Sequence, residues 1–180
     1  PVSGSGNRGR QESSGMSNVV VVGIHWGDEA KGKVVDYLAQ SADYVVRYNG
    51  GNNAGHTVVV AEEVYKFHTV PVGVLHERVT PVVADGVVLD PSVFLGEVDA
   101  LNARGINTDK IRVSGNAHVI MPYHKLLDSL EEEFKGAGRI GTTGRGIGPC
   151  YADKASRTGI RVCDLVDQSR FRARLADCLR

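Results

Sequence analysis

What this sequence has little of narrows it first. Three cysteines in 180 residues, at positions 150, 163 and 178, are too few and too widely spaced for a disulfide framework or a zinc site, so they read as free thiols of a reducing compartment. There is no excess of charge of either sign: 21 Lys+Arg cancel 21 Asp+Glu. That removes the blanket basicity of a nucleic-acid or membrane-surface binder and favours a small polar metabolite as the partner. No apolar run approaches the roughly 20 residues needed to span a bilayer, and the opening segment lacks the hydrophobic centre of a secretory signal. The expectation is a cytoplasmic protein that engages neither nucleic acid nor membrane. Aromatics are only 6% of the chain, but 42% hydrophobic residues suffice for one globular core.

What is present divides into a tail and a patterned body. Residues 1–17 are Gly, Ser, Arg and Gln with almost nothing to bury, so they are read as a disordered tail, with Met16 placed where a natural start could lie. Val19 to Val22 is continuously apolar and β-branched, the pattern of a strand covered on both faces. A glycine-bearing loop, Gly23 to Gly32, then leads to Lys33–Gln40, where Val34, Val35, Leu38 and Ala39 make one helical face. Tyr44 to Tyr48 reads as a second strand, followed by the polar loop Asn49 to His56. Thr57–Val60 and Val64–Thr69 read as a hairpin, and Val82–Ala84 with Val87–Leu89 flank an Asp85-Gly86 turn. Asp90 caps and Pro91 opens a helix that carries Phe94, Val98 and Leu101 on one face and stops at Gly105. Ile111–Val113 and Val119-Ile120 are short strand candidates. Pro122 to Lys135 places Leu126, Leu127, Leu130 and Phe134 on one side of a further helix, and a last helix runs from Ser169. Strands alternating with helices predict an α/β fold with a largely parallel central sheet, flanking helices and a P-loop-like nucleotide-binding start.

Three segments carry chemistry. Gly27-Asp-Glu-Ala-Lys-Gly-Lys33 satisfies G-x4-G-K, the spacing at which backbone N–H groups cradle phosphates while a lysine and the next helix N-terminus neutralise them. Chance alone would yield it in about one such chain in ten, so the strand before it and the helix after it matter as much as the motif. Val34 stands where a standard P-loop has the Ser or Thr that binds Mg²⁺, so either the metal has another ligand or the match is accidental. The alternative is a plain Gly-rich connection with solvated lysines. Asp28 and Glu29 are anions among phosphate-binding amides, which is self-defeating unless a metal or a proton-transfer task requires one of them. His56 closes a loop whose Gly50, Gly51 and Gly55 allow close backbone approach and whose Asn52 and Asn53 can read a base or ribose. Gly136 to Pro149 holds six glycines and two arginines; its hydroxyls, bare amides and guanidinium groups suit a phosphate monoester, against the plainer reading of a flexible linker.

The segments Trp26 to Lys33, Val46 to Thr57 and Ile140 to Pro149 resemble the adenylosuccinate synthetase family, in its order and spacing from about Asn18 to Asp167. The resemblance implies that residues 18–180 are the N-terminal part of such a domain. It implies a GTP-dependent ligase that joins IMP and L-aspartate in AMP synthesis, with Mg²⁺ and through a 6-phosphoryl-IMP intermediate. By resemblance Asp28 is the general base and His56 the general acid, and Asp28 with the Gly55 carbonyl holds Mg²⁺. Gly27 to Lys33 (Gly27, Asp28, Glu29, Ala30, Lys31, Gly32, Lys33) and Gly55, His56 and Thr57 would contact GTP. Asp28, Glu29, Ala30, Lys31, Asn53, Ala54, Gly55, His56 and Thr143 would contact IMP, joined by Arg157 from a neighbouring subunit of a homodimer. His25 and Ala30 depart from the family's Gln and Gly. Helical φ at residue 30 would accept alanine readily, which is the expectation, whereas a positive φ would cost of order 1 kcal/mol. Family members are also much longer, so the competing reading is a catalytically silent nucleotide- or phosphate-binding module.

Overall fold

A computed structural model of the chain describes residues 17–24, 30–53, 55–60, 62–135 and 141–180. The elements in order are α1 (Lys31–Ala39), β1 (Tyr44–Gly50), β2 (His56–Val60), β3 (Glu63–Phe67), a 3-10 turn over Val72–Leu75, β4 (Thr80–Leu89), α2 (Pro91–Ala103), β5 (Arg112–Val113), β6 (His118–Val119), α3 (Pro122–Lys135), α4 (Ile147–Ser156), α5 (Val162–Leu165) and α6 (Gln168–Cys178). β4 is the hub of the sheet. It pairs in parallel with β1 along most of its length, with β5 at Val82 and Val83, and with β6 at Val88 and Leu89. β2 and β3 form a separate antiparallel hairpin. The α/β class with a largely parallel sheet is therefore what the fold has, and the three thiols are free.

The apolar residues explain the layers. Val45, Val58, Tyr65, Phe67, Val70, Val74 and Leu101 bury together where β1, the hairpin, the 3-10 turn and α2 converge. A second set, Val119, Met121 and Ile160 with Phe171 and Leu175 packed against it, holds α5 and α6 to the far end of β6. α2 follows its sequence signals closely: Asp90 accepts from the Ser92 and Val93 N–H groups, Pro91 is the first helical residue, and Gly105 has φ +76°. Such a cap is worth about 1 kcal/mol. Cys150 is buried beside Val88 and Ile120, and burial pushes its thiol up to about 12, so it stays protonated and unreactive at neutral pH.

Three expectations need correction. Val19–Val22 forms no strand: Val19, Val20 and Val22 are more than 60% exposed, and the run has no ladder partner among the described residues. A β-branched run makes a buried strand only where layers cover both its faces, and the sheet is open on this side, with Tyr44, Val46 and Tyr48 of β1 themselves exposed. Asp85-Gly86 is not a turn, because β4 runs unbroken through it. The glycine is there for close approach: β1 bulges between Arg47 and Asn49, and a Cβ at residue 86 would run into the Tyr48 carbonyl. α3 spans Pro122–Lys135 as its spacing predicts, and its apolar face points outward, with Leu126, Leu130 and Phe134 exposed and His124 and Asp128 buried. Finally, the glycine-rich segment does not stay a loop to Pro149, since Ile147 opens α4 with Pro149 tolerated in its first turn. The tail residues 1–16, and Gly136 to Ile140 with Arg139, lie outside the described residues.

Gly86→Ala is expected to destabilise the fold by about 2–3 kcal/mol through overpacking against backbone, read as a lower urea midpoint with unchanged slope. Gly96→Ala, which meets nothing within 4 Å, is the control that should lose no stability.

Candidate functional site

Because β1, β4 and β6 run parallel, their C-terminal ends emerge on one side of the sheet, where α/β folds bind ligands. β1 passes into Gly51-Asn52-Asn53, β4 into Asp90, and β6 into Ile120 and α3. Side chains tie these exits together. Asn52 Nδ2 donates to Asp90 Oδ2 at 3.4 Å, and Lys125 Nζ of α3 meets the same carboxylate oxygen at 2.7 Å. The Arg145 guanidinium donates to the Asn52 carbonyl, so the polar loop after β1 is joined to the glycine-rich loop before α4. Tyr151 of α4 closes the arrangement, its hydroxyl accepting from the Gly50 N–H and donating to the Gly86 carbonyl, both at 2.8 Å.

Two charged residues that sequence reasoning passed over fix the other side of this loop. Arg47, on β1, donates from Nη1 to the His68 carbonyl and from Nη2 to the Gly51 carbonyl, both at 2.5 Å. Burial lowers its pKa, and the Glu97 charge opposes that shift. Glu97, on α2, accepts from the N–H groups of His68, Thr69 and Val70 at 2.8–3.1 Å. The available signal was an arginine in an otherwise apolar strand and an acid on the apolar face of α2. Asn52 Oδ1 and His68 Nδ1 are buried without a hydrogen-bond partner among the described residues.

Against this frame lies a cavity of about 820 Å³, lined among others by Lys31, Gly32, Gly50, Gly55 and His56. Two motifs far apart in the chain meet in it: a Cβ placed on Gly32 would stand 3.0 Å from His56 Cβ, so the first turn of α1 packs directly on the histidine. Lys33 on α1, Thr57 on β2, Asn53, Thr143 and Arg157 are exposed, and none of them lines this cavity. Gly27, Asp28, Glu29 and Ala54, with His25, lie outside the described residues. Ala30 overturns an expectation. It precedes α1 with φ 56° and ψ 24°, in the left-handed region, not the helical one. The turn into the helix requires that conformation, and alanine meets the requirement at a cost.

The described residues contain no group of three or more His, Cys, Asp or Glu able to hold a metal. Mg²⁺ needs no such cage, since it is held through one or two carboxylates plus substrate phosphates and keeps its waters.

Comparison with known proteins decides the family. The family model described as adenylosuccinate synthetase matches residues 20–180. The chain belongs to the adenylosuccinate synthetase family. It is 59% identical over 160 residues to the adenylosuccinate synthetase of Heliobacterium modesticaldum, an alignment that covers 89% of this chain and 38% of that protein. It is 54% identical over 165 residues to that of Acetivibrio thermocellus, covering 92% and 39%. Among solved structures, fully ligated adenylosuccinate synthetase from Plasmodium falciparum superposes with a TM-score of 0.77 at 37% identity, over 86% of this chain and 36% of that one. The chain thus spans under two fifths of these synthetases.

Ala30→Gly should stabilise the protein. Relief of the left-handed alanine is worth about 1–2 kcal/mol and the added unfolded-state entropy takes back about 0.4–1, leaving a gain of about 0.5–1 kcal/mol in urea unfolding. No gain would mean that residue 30 does not hold this conformation in solution.

Proposed function

We infer that this chain carries the phosphoryl-transfer half of a GTP-dependent ligase that joins IMP to L-aspartate, forming adenylosuccinate, GDP and phosphate. The observation that carries the reading is the packing of α1's first turn on His56, in a chain of this family. It puts a helix N-terminus, Lys31 and an imidazole around one cavity, which is the equipment for binding a polyphosphate and handling a proton beside it.

Each residue then has a task set by the chemistry. The 6-oxygen of a purine is a poor leaving group, so it must be phosphorylated before an amine can displace it. Asp28 takes the proton from N1 of IMP, which raises the electron density on the 6-oxygen and lets it accept the γ-phosphoryl group as GDP departs. His56 donates a hydrogen bond to the transferring group and supports its later departure as phosphate, when the aspartate amine attacks C6. Gly27 to Lys33 with Gly55 to Thr57 hold the GTP phosphates. Asn53 to His56 and Thr143 hold IMP, and Arg157, exposed at the C-terminal end of α4, reaches the IMP site of a second copy in a homodimer. Asp28 and the Gly55 carbonyl would hold Mg²⁺, which when bound neutralises charge on the phosphates. Work on small nucleotides in the cytoplasm agrees with a balanced charge and with helices none of which, among the described residues, is long and apolar enough to cross a membrane.

The direct assay supplies IMP, GTP, Mg²⁺ and aspartate and follows the absorbance of adenylosuccinate. Turnover that falls at least about 100-fold in Asp28→Asn and in His56→Ala, the scale of a lost general acid or base, with IMP binding retained, is the expected result. Binding of IMP and GTP without turnover would instead favour the silent nucleotide-binding module. Turnover spared by Asp28→Asn would point to another phosphotransfer chemistry.

A further inference from the structure

α3 is an amphipathic helix turned inside out, and its inward row is polar. His124, Asp128 and Glu132 recur every four residues and so share one face. His124 and Asp128 are almost wholly buried, while Leu126, Leu130 and Phe134 on the other side are open to solvent. Burying that row makes sense only through what it touches. Asp128 Oδ2 accepts from the Gly146 N–H at 2.8 Å. Glu132 Oε2 accepts from the Gly141 N–H at 2.9 Å and the Thr142 N–H at 3.4 Å. His124 accepts from the Met121 N–H through Nδ1 and meets Asp153 of α4 through Nε2, both at 2.9 Å. Each member of the row therefore holds either the glycine-rich segment or the helix that follows it.

We propose that Asp128 and Glu132 are positioning residues for phosphate recognition: one helical turn apart on α3, they clamp the two ends of the Gly141–Gly146 segment and preset it for the phosphomonoester of a purine nucleotide. This segment needs such a clamp. Gly141, Gly144 and Gly146 all have positive φ, a conformation that many alternative backbone states compete with in a glycine-rich chain. A carboxylate accepting a backbone N–H at each end removes those alternatives and leaves the groups between, Thr143 among them, for the ligand. Gly146 also lies so close to the first turn of α3 that a Cβ would stand 2.8 Å from backbone atoms of His124 and Lys125, which fixes its distance from the helix. Arg145 then carries the same order across to Asn52. The clamp carboxylates are engaged with the backbone N–H groups of the segment, so their effect is expected on affinity for the phosphate. The proposal rests on the nucleotide reading above for the identity of the ligand, but the clamp itself is a statement about two hydrogen bonds.

The test uses the 180-residue chain and four variants, Asp128→Ala, Asp128→Asn, Glu132→Ala and Glu132→Gln. The Glu132 variants alter a half-buried position and keep the test open if Asp128→Ala does not fold. Amide hydrogen exchange at Gly141 and Gly146 reads the clamp, and titrations with IMP and with GTP read its purpose. Each alanine variant should speed exchange at its own glycine and weaken IMP about tenfold, the worth of one hydrogen bond to a charged group, with GTP affinity unchanged. The amide variants, which keep an acceptor oxygen, should recover most of the loss. IMP affinity unmoved in variants whose glycine has lost protection overturns the positioning role, as does a parallel loss of IMP and GTP. Protected glycines in an unsubstituted chain that binds no IMP overturn the nucleotide reading, and with it the purpose assigned to the clamp.

Discussion

The arrangement of the site depends on how closely β1 and β4 approach at the end of their shared ladder. Parallel pairing aligns their C-termini, but the bulge between Arg47 and Asn49 pushes the Tyr48 carbonyl toward β4, and only a residue without a side chain can stand opposite. Gly86 is that residue. The consequence reaches beyond the sheet, because the Gly86 carbonyl and the Gly50 N–H both bind the Tyr151 hydroxyl. The same local crowding that bends β1 thus docks α4 and fixes where the loop after β1 begins. Separate the two strands and the contacts among Asn52, Asp90, Lys125 and Arg145 lose their common origin.

The loops around the site are glycine-rich and would lose much entropy on ordering. They are held by charged side chains on regular elements that accept from, or donate to, their backbone: Glu97 for residues 68–70, Arg47 for His68 and Gly51, and Asp128 and Glu132 for the 141–146 segment. A hydrogen bond to a charged group contributes about 1.5–3 kcal/mol, enough to offset the ordering of one or two residues. Rigid elements therefore lend their order to loops whose own side chains stay available for a ligand, which is how a scaffold preorganises a site without crowding it.

How much of this could be read in the sequence differs from element to element, for physical reasons. α2 was legible because Asp90, Pro91 and Gly105 act locally, each on the backbone within a few residues of itself. The hairpin was legible because β2 and β3 are neighbours in the chain. Asp85-Gly86 misled because the residues that need glycine there belong to β1, dozens of positions earlier, and a turn signal carries no information about a distant carbonyl. α3 shows the limit of periodicity most clearly. The spacing of Leu126, Leu130 and Phe134 specifies a helix and its stripe, but the stripe that turns inward is the one whose carboxylates accept from the N–H groups of the loop that follows. The site itself was legible only as three motifs; that α1 would rest on His56, and that Arg47, Glu97, Asp128 and Glu132 would organise the loops, follows from contacts between separate segments.

The start of α1 breaks the local rules that the rest of the chain obeys, and the size of the breach is informative. Its N-cap residue makes no side-chain capping hydrogen bond, its first turn holds no acid, and it carries Lys31 and Lys33 where the helix dipole disfavours cations. A forgone cap costs about 1 kcal/mol, each misplaced charge about 0.3–1 kcal/mol, and the left-handed Ala30 about 1–2 kcal/mol. Against a typical total stability of about 5–15 kcal/mol, such a sum is hard to attribute to drift, particularly beside α2 and α6, whose aspartates cap them fully. An anion seated on the first turn would oppose two of these contributions, since the start of a helix and nearby lysines both favour negative charge. The left-handed turn at Ala30 would remain as the cost of entering the helix where its first turn packs on His56.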